Sequence, residues 1–170
     1  MDYKDMLSKL TIDEKIKLTS GISNWDFFGI DRLGMRSIKV ADGPHGVRVS
    51  KKVKVSNEMF GKENLEESTM FPSAVAMAST FNPDLIFKVG EAIGKECNMF
   101  DIDILLAPGV NSKRSPLGGR NFEYYSEDPF LTGLIASSYI NGVQSTGVGA
   151  CIKHYALNEQ ETQRRFVDTL

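Results

Sequence analysis

The amino-acid sequence predicts an α/β fold in which three apolar strands alternate with two long helices. Two observations support this prediction. The candidate strands are short apolar runs that stop at turn-forming or polar residues, and the candidate helices carry apolar residues at steps of three and four. Strands and helices that alternate in this way are typical of βαβ units with right-handed crossovers. We therefore expect a parallel sheet, either open or closed into a barrel.

The N-terminal part of the chain predicts a short surface helix and then a strand. Thr11 and Glu14 have the spacing of a capping box, which marks the start of a helix. The segment 21–34 contains glycine and aromatic residues and is predicted to be a connection. The run Ile38–Ala41 predicts a strand, because it ends abruptly at Asp42 in a loop rich in glycine and proline.

The middle of the chain predicts a solvated segment followed by the first crossover helix. Residues 50–68 carry many lysines and glutamates and few large apolar groups, so we expect them to lie outside the core. Asn82 is a favourable N-cap, and Pro83 suits the first position of a helix. Apolar residues then recur at helical spacing as far as Phe100, which indicates one buried face.

Two more strands flank the second crossover helix. The near-continuous apolar run Ile102–Ala107 is typical of a strand that is buried on both faces of a parallel sheet. Asp128 repeats the N-cap signal, and the helical spacing continues from there to Gly147. The run Val148–Ile152 predicts the third strand of the sheet.

Composition and charge argue against several classes of protein. Twenty basic and twenty-two acidic residues give a net charge of −2 and are spread along the chain, so a nucleic-acid partner is not expected. The N-terminus resembles no secretion signal, and no run of about 18 apolar residues is present. We therefore expect a soluble cytoplasmic protein with no membrane partner. Neither the glycine motif of dinucleotide-binding folds nor that of P-loops occurs.

The cysteine and histidine content does not indicate a metal site. Cys97 and Cys151 lie in apolar segments far apart in the sequence, and we expect two buried, reduced thiols. Only His45 and His154 could add further soft ligands, and their spacing is not that of a zinc site. We expect no metal and no organic cofactor.

Polar residues follow each predicted strand. Asp42 follows the first, Asn111 lies just beyond the second, and Lys153 and His154 follow the third. In a barrel, the groups that contact a ligand lie at the C-terminal ends of the strands. These residues are therefore candidates for one binding site, whereas His45, between Pro44 and Gly46, is interpreted as a residue that shapes its loop.

The loop 115–129 has the composition of a site for a ligand with many hydroxyl groups. It holds Arg120 together with three acidic and three aromatic residues. Arginine can donate to two hydroxyl oxygens, a carboxylate can accept from two, and an aromatic face can stack on a sugar ring. Two structural alternatives stay open: Arg120 could pair with Glu123 or Glu127 to hold the loop, and Asp42 could serve only as a turn residue.

Four motifs in the chain resemble those of family 3 glycoside hydrolases and occur in the order found in that family. They are spread along the chain from residue 41 to residue 164 and are Ala41–Arg48, Phe71–Ser73, Gly119–Pro129 and Lys153–Arg164. The resemblance implies that residues 1–170 are the N-terminal portion of a (β/α)₈ TIM-type barrel. The rest of that domain and a second domain are expected to lie outside this chain.

The resemblance also implies a function and a set of site residues. The expected reaction is hydrolysis of terminal β-D-glucosyl or related residues with retention, acting on a small-molecule β-glycoside or an oligosaccharide. The resemblance assigns the binding of sugar hydroxyls in subsite −1 to Asp42, Arg120, Lys153, His154 and Arg164.

The catalytic pair is expected elsewhere in the protein. Retaining glycosidases need two carboxyl groups about 5 to 5.5 Å apart. In the family, the nucleophile is an Asp in a later Ser-Asp-Trp-type motif, and the acid/base is a Glu that comes later still. We therefore expect both beyond Leu170 and interpret Glu123, Glu127 and Glu161 as acids that hold loops. This chain alone is then expected to be inactive. The alternative is a carbohydrate-binding fragment or pseudoenzyme, which a coding sequence without the Ser-Asp-Trp motif would support.

Overall fold

The chain is described by a computed structural model that covers residues 3–49 and 65–166. The predicted solvated segment 50–68 lies outside these ranges except for residues 65–68, which are exposed. The elements are helices α1 (Tyr3–Lys9), α2 (Ile12–Leu18), α3 (Ala74–Ala78), α4 (Pro83–Met99) and α5 (Pro129–Gln144), and strands β1 (Asp26–Phe27), β2 (Ile38–Ala41), β3 (Ile104–Leu105) and β4 (Gly149–Ala150).

The four strands form one sheet in the order β1-β2-β3-β4. Strands β2, β3 and β4 are parallel, with Ala41 opposite Leu105 and Leu105 opposite Ala150. The connection from β2 to β3 contains α3 and α4, and the connection from β3 to β4 contains α5. The predicted α/β fold with two βαβ units is therefore confirmed.

The sheet differs from the prediction at its edge and in the length of its strands. Segment 21–34 is not only a connection, because it contains β1, which pairs antiparallel with β2 and makes the sheet mixed. Helix α1 was also not predicted, and none of its residues is buried, so it lacks the apolar pattern of a core-facing helix. The runs 102–107 and 148–152 each contain a two-residue strand. Pro108 has no N–H to donate, so regular pairing cannot continue through it.

Helices α2, α4 and α5 begin where their capping residues predict. Thr11 and Glu14 form a complete capping box at the start of α2. The side chain of Asn82 accepts from the N–H of Leu85, and that of Asp128 accepts from the N–H of Phe130. Among the described residues, no helix is both long and apolar enough to cross a lipid bilayer.

The core lies between the sheet and the pair α4 and α5. Its fully buried members include Ile93 and Cys97 from α4, Leu105 from β3, and Ile135 and Tyr139 from α5. The two helices approach closely, because both carry glycine at the contact. This packing fixes the position of β3. The positions of the residues that follow the strand are therefore fixed by the core as well.

The prediction of two buried thiols is half right. Cys97 is fully buried, and burial raises the pKa of its thiol to about 12. Cys151 is exposed, which contradicts the prediction. It directly follows β4, the outermost strand of the described sheet, so no further described strand covers that side. An apolar neighbourhood in the sequence therefore did not ensure burial of Cys151 within the described residues.

Candidate active site

The C-terminal ends of β2, β3 and β4 meet at one edge of the sheet, as parallel strands require. Asp42 directly follows β2. Beyond β3, a parallel bridge joins Gly109 to Lys153, and the N–H of Val110 donates to the carbonyl of Lys153 at 2.8 Å. Asn111 is the next residue. The polar residues that follow the predicted strands are thus neighbours in space.

Asp42 and Lys153 form the first pair of this site. Lys153 Nζ donates to Asp42 Oδ1 at 2.6 Å, and the two side chains are 15% and 34% exposed for the lysine and the aspartate. Burial by itself raises the pKa of the Asp42 carboxyl, whereas the hydrogen bond and charge of Lys153 lower it. The N–H of Gly43 and the charge of Arg48 add to the lowering. The net pKa lies below the usual value, so Asp42 is ionised at neutral pH.

The loop after β2 is held by its backbone and by His45. The N–H of Arg48 donates to the carbonyl of Asp42 at 2.9 Å, so the loop is closed without the carboxylate. Gly43 has φ of +124°, and a Cβ there would lie 1.9 Å from the carbonyl oxygen of Gly46. His45 Nε2 accepts from the N–H of Ala74 at 2.9 Å, which agrees with its interpretation as a loop-shaping residue.

Arg120 contributes the second cationic group and is held from three sides. Its Nε donates to Glu123, its Nη1 lies 3.8 Å from Glu161 Oε1, and its Nη2 lies 2.9 Å from His154 Nε2. Of the two partners left open by the sequence, Glu123 pairs with Arg120. Glu123 is buried, so its carboxylate is fixed, and the guanidinium is fixed with it. These contacts agree with the interpretation of Glu123 and Glu161 as acids that hold loops.

His154 lies at the centre of the site. Its Nδ1 is 3.0 Å from Asn111 Oδ1 and 3.1 Å from the Tyr124 hydroxyl, and its backbone N–H also donates to Asn111 Oδ1. Burial lowers the pKa of the imidazole, and the charges of Arg120 and Lys153 lower it further. The ring is therefore neutral at physiological pH.

Arg164 joins the site less directly than the other predicted residues. It is 57% exposed, and its Nη1 donates to Glu161 Oε2 at 3.3 Å. Glu161 in turn contacts Arg120 and accepts from Asn158 Nδ2 at 3.3 Å. The structure thus brings Asp42 together with Lys153, and Arg120 together with His154, while Arg164 is connected through Glu161.

Three further residues of the site make contacts that the sequence-based prediction did not assign. Asn111 was recognised as a polar residue beyond a strand, but its contact with His154 was not foreseen. Tyr124 and Asn158 are hydrogen-bonded to each other, with Asn158 Nδ2 donating to the tyrosine hydroxyl at 3.1 Å. Both lie in the motifs that carry the family resemblance, and their position there was the available signal. A side-chain contact across 34 residues has no signature in local spacing.

The chemistry of this arrangement suits an uncharged ligand with several hydroxyl groups. Lysine and arginine donate, the Asp42 carboxylate accepts, and none of these side chains is fully removed from solvent. The described residues contain no group of three or more histidine, cysteine, aspartate and glutamate side chains that could hold a metal ion. The cations and carboxylates are already paired, so an incoming hydroxyl would meet groups that are held in fixed orientations.

Proteins similar to this chain include glycosidases of known name. The chain is 47% identical over 170 residues to thermostable β-glucosidase B of Acetivibrio thermocellus, covering all of this chain and 22% of that protein. It is 48% identical to an exo-α-(1→6)-L-arabinopyranosidase of Bifidobacterium longum, covering 94% of this chain and 21% of that protein. The chain thus spans about a fifth of the length of these curated relatives.

The solved structures include the same architecture. The structure of β-glucosidase 3B from Thermotoga neapolitana in complex with α-D-glucose superimposes with a TM-score of 0.82 at 42% identity, covering 93% of this chain and 23% of that one. The model of the glycosyl hydrolase family 3 N-terminal domain matches residues 36–163, which include four of the five predicted sugar-binding residues. This chain belongs to glycosyl hydrolase family 3 and forms part of its N-terminal TIM-barrel domain.

Proposed function

We propose that the protein carrying this chain hydrolyses terminal, non-reducing β-D-glucosyl or closely related residues with retention of configuration. The chain contributes sugar-binding groups of subsite −1. The observation that carries the proposal is the convergence of the Asp42–Lys153 pair and the Arg120–His154 pair on one edge of a parallel sheet. The names of the relatives support it, since they include β-glucosidases from bacteria and fungi.

Each side chain in the proposed site has a role that follows from its chemistry. The Asp42 carboxylate accepts hydrogen bonds from sugar hydroxyls, and Lys153 and Arg120 donate to hydroxyl oxygens. His154 follows Lys153 directly and contacts Arg120 through Nε2, so it links the two pairs. Arg164 is the most exposed of the five, so it is assigned to the outer wall of the subsite.

The nucleophile and the acid/base are assigned to other parts of the protein. Retention requires a carboxylate that attacks the anomeric carbon and a second carboxyl group that protonates the leaving oxygen. The carboxylates of Asp42, Glu123 and Glu161 are each paired with a lysine or arginine. For Asp42, the pairing with Lys153 helps to hold the pKa below its usual value, so this carboxyl is a poor proton donor.

An assay of the whole gene product on an aryl β-D-glucoside tests this function. We expect hydrolysis, with β-D-glucose as the first sugar product in a time-resolved proton NMR spectrum. We also expect the activity to persist after treatment with a chelator. An α-anomer as first product would contradict retention, and activity that a chelator removes and a divalent ion restores would contradict a metal-independent reaction.

The arabinopyranosidase from Bifidobacterium longum favours a second candidate for the glycone. An α-L-arabinopyranose ring lacks the hydroxymethyl group of β-D-glucose and has the opposite configuration at C4, so the two substrates differ at two positions. A site that binds the hydroxymethyl group rejects the ring that lacks it. The values of kcat/KM on aryl β-D-glucoside and aryl α-L-arabinopyranoside distinguish the two, and we expect the glucoside to be the better substrate.

A further inference from the structure

We propose that Asn111 is a positioning residue of this site. It fixes the imidazole of His154 in the tautomer that carries its hydrogen on Nδ1, so that Nε2 is the acceptor for the Arg120 guanidinium. This inference rests on the proposed function, because it assigns a further residue to the same sugar-binding site. It concerns a contact between the loop after β3 and the residue that follows Lys153.

The direction of the contact with Arg120 is fixed by chemistry. A guanidinium nitrogen carries only N–H groups and cannot accept a hydrogen bond. Arg120 Nη2 lies 2.9 Å from His154 Nε2, so the ring nitrogen must be the acceptor and must carry no hydrogen. A neutral imidazole then carries its hydrogen on Nδ1.

The direction of the contact with Asn111 is fixed independently. The backbone N–H of His154 can only donate, so the asparagine atom 3.0 Å from it is the amide oxygen. The same oxygen lies 3.0 Å from Nδ1, and it accepts the hydrogen that Nδ1 carries. Asn111 is only 6% exposed, so its amide is held in place. The direction of each hydrogen bond is therefore fixed. Arg120 donates to Nε2 of the imidazole, and Nδ1 donates to Asn111.

The hydroxyl of Tyr124 completes the surroundings of Nδ1. It lies 3.1 Å from Nδ1 and accepts from Asn158 Nδ2 at 3.1 Å. A hydroxyl can donate or accept, so it adapts to either tautomer. Arg120 at Nε2 and Asn111 at Nδ1 therefore favour the same tautomer, and Asn111 is the acceptor that holds the hydrogen on Nδ1.

The charges around the ring explain why a neutral acceptor is suited to this position. Arg120, Lys153 and Arg164 all lower the pKa of His154 in addition to burial, and Glu123 alone acts in the other direction. An imidazolium would present a second donor to Arg120 and break the contact at Nε2. A carboxylate in place of the Asn111 amide would stabilise that imidazolium, because an opposite charge within hydrogen-bonding distance raises the pKa of a histidine.

The test compares Asn111→Asp with Asn111→Leu in the whole gene product. Aspartate keeps both acceptor contacts but adds a charge, so we expect the acidic limb of kcat/KM to move to higher pH by about one unit. Above that limb, Asn111→Asp should regain activity to within about tenfold of the unaltered enzyme. Leucine leaves the Nδ1 hydrogen without its amide acceptor, so we expect at least a tenfold loss at every pH. Asn141→Asp, an exposed position on α5, is the matched control and should leave the profile unchanged.

A purely structural role for Asn111 makes a different forecast. The two variants would then lose activity in parallel, and the acidic limb of Asn111→Asp would coincide with that of the unaltered enzyme. Either result overturns the proposal.

A measurement on the unaltered protein covers the case in which the variants do not fold. The gene product is labelled with ¹⁵N at histidine, and the ring signals of His154 are those missing from His154→Gln. Two-bond proton–nitrogen correlations should show a protonated Nδ1 and an unprotonated Nε2 at pH 7. The reverse pattern, or a doubly protonated ring, overturns the proposal. The spectrum needs no turnover, so absence of β-glucosidase activity would contradict the proposed function and leave this test intact.

Discussion

Lys153 Nζ lies 2.6 Å from Asp42 Oδ1, although 111 residues separate them in the sequence. Strand β3 lies between the strands that precede these two residues, so the lysine side chain reaches across the end of β3. The pair therefore joins the ends of β2 and β4 and depends on the parallel register of the sheet. The pair also holds a carboxylate and an ammonium group at the C-terminal edge of the sheet, where a ligand would bind.

Replacement of Asp42 tests whether this pair serves the ligand or only the fold. In the whole gene product, we expect Asp42→Ala to lower kcat/KM roughly 100-fold or more. This corresponds to a loss of about 3 kcal/mol of transition-state stabilisation. The melting temperature should change little, because solvent reaches the carboxylate and partly exposed ion pairs contribute about 1 kcal/mol or less. Kinetics on an aryl β-glucoside and thermal unfolding measure the two effects.

Asp13→Ala is the control for this substitution, since Asp13 is an exposed aspartate on α2. It should leave kcat/KM unchanged. A loss of stability in Asp42→Ala with unaltered kcat/KM would show that Asp42 is a turn residue only.

The ion pair between Glu14 and Arg32 should make stability depend on pH in the acid range. The hydrogen bond from Arg32 is the largest effect, and the pKa of Glu14 falls from 4.5 to about 2. Because the folded pKa is below the unfolded one, the stabilisation is complete above pH 4.5 and is lost as pH falls toward 2. The difference in unfolding free energy between the unaltered protein and Glu14→Gln should therefore shrink over that range. A difference that is constant from pH 5 to pH 2 would contradict the pairing.

The close contact of α4 and α5 predicts opposite effects for two glycines on the same helix. A Cβ on Gly142 would lie 2.1 Å from the carbonyl oxygen of Phe87, so Gly142→Ala must push the helices apart. We expect a loss of about 2 kcal/mol in unfolding free energy, in the range found for overpacked cores. Gly133 has no described atom within 4 Å of its Cβ position, and Gly133→Ala should be neutral or stabilising by up to about 1 kcal/mol. Denaturant unfolding distinguishes these outcomes, and equal effects of the two variants would contradict the packing.

Local sequence signals were sufficient where the structure is locally determined. The caps at Thr11, Asn82 and Asp128 operate over two or three residues, and all three helices begin there. Strand β1 could not be predicted in this way, because a two-residue strand exists only through its pairing with β2. The exposure of Cys151 likewise depends on what lies beyond β4 in the sheet.

In the candidate site, too, local sequence signals predicted some features, whereas others depend on the tertiary fold. The family motifs pointed to Asp42, Arg120 and Lys153 as candidate site residues. Which side chains pair with them depends on the tertiary fold. The choice between Glu123 and Glu127 as partner of Arg120 is settled by the single 3₁₀ turn Asn121–Glu123, which is too short to have a periodic signature.

The last prediction is that residues 1–170, expressed alone, do not hydrolyse an aryl β-glucoside. The transition state of glycoside hydrolysis needs a carboxylate at the anomeric carbon and a protonated acid at the leaving oxygen. In the described site, the carboxylates of Asp42, Glu123 and Glu161 are engaged by Lys153, Arg120 and Arg164.

Groups that bind hydroxyls cannot replace that chemistry, although they can hold a monosaccharide with a dissociation constant of about 1 mM or weaker. The decisive assay compares the purified 170-residue chain with the same chain carrying Asp42→Ala. We expect both to show only the background rate of the uncatalysed reaction. Turnover above background in the unaltered chain that disappears in Asp42→Ala would mean that a carboxylate within residues 1–170 performs the chemistry, since a binding group alone does not supply a nucleophile.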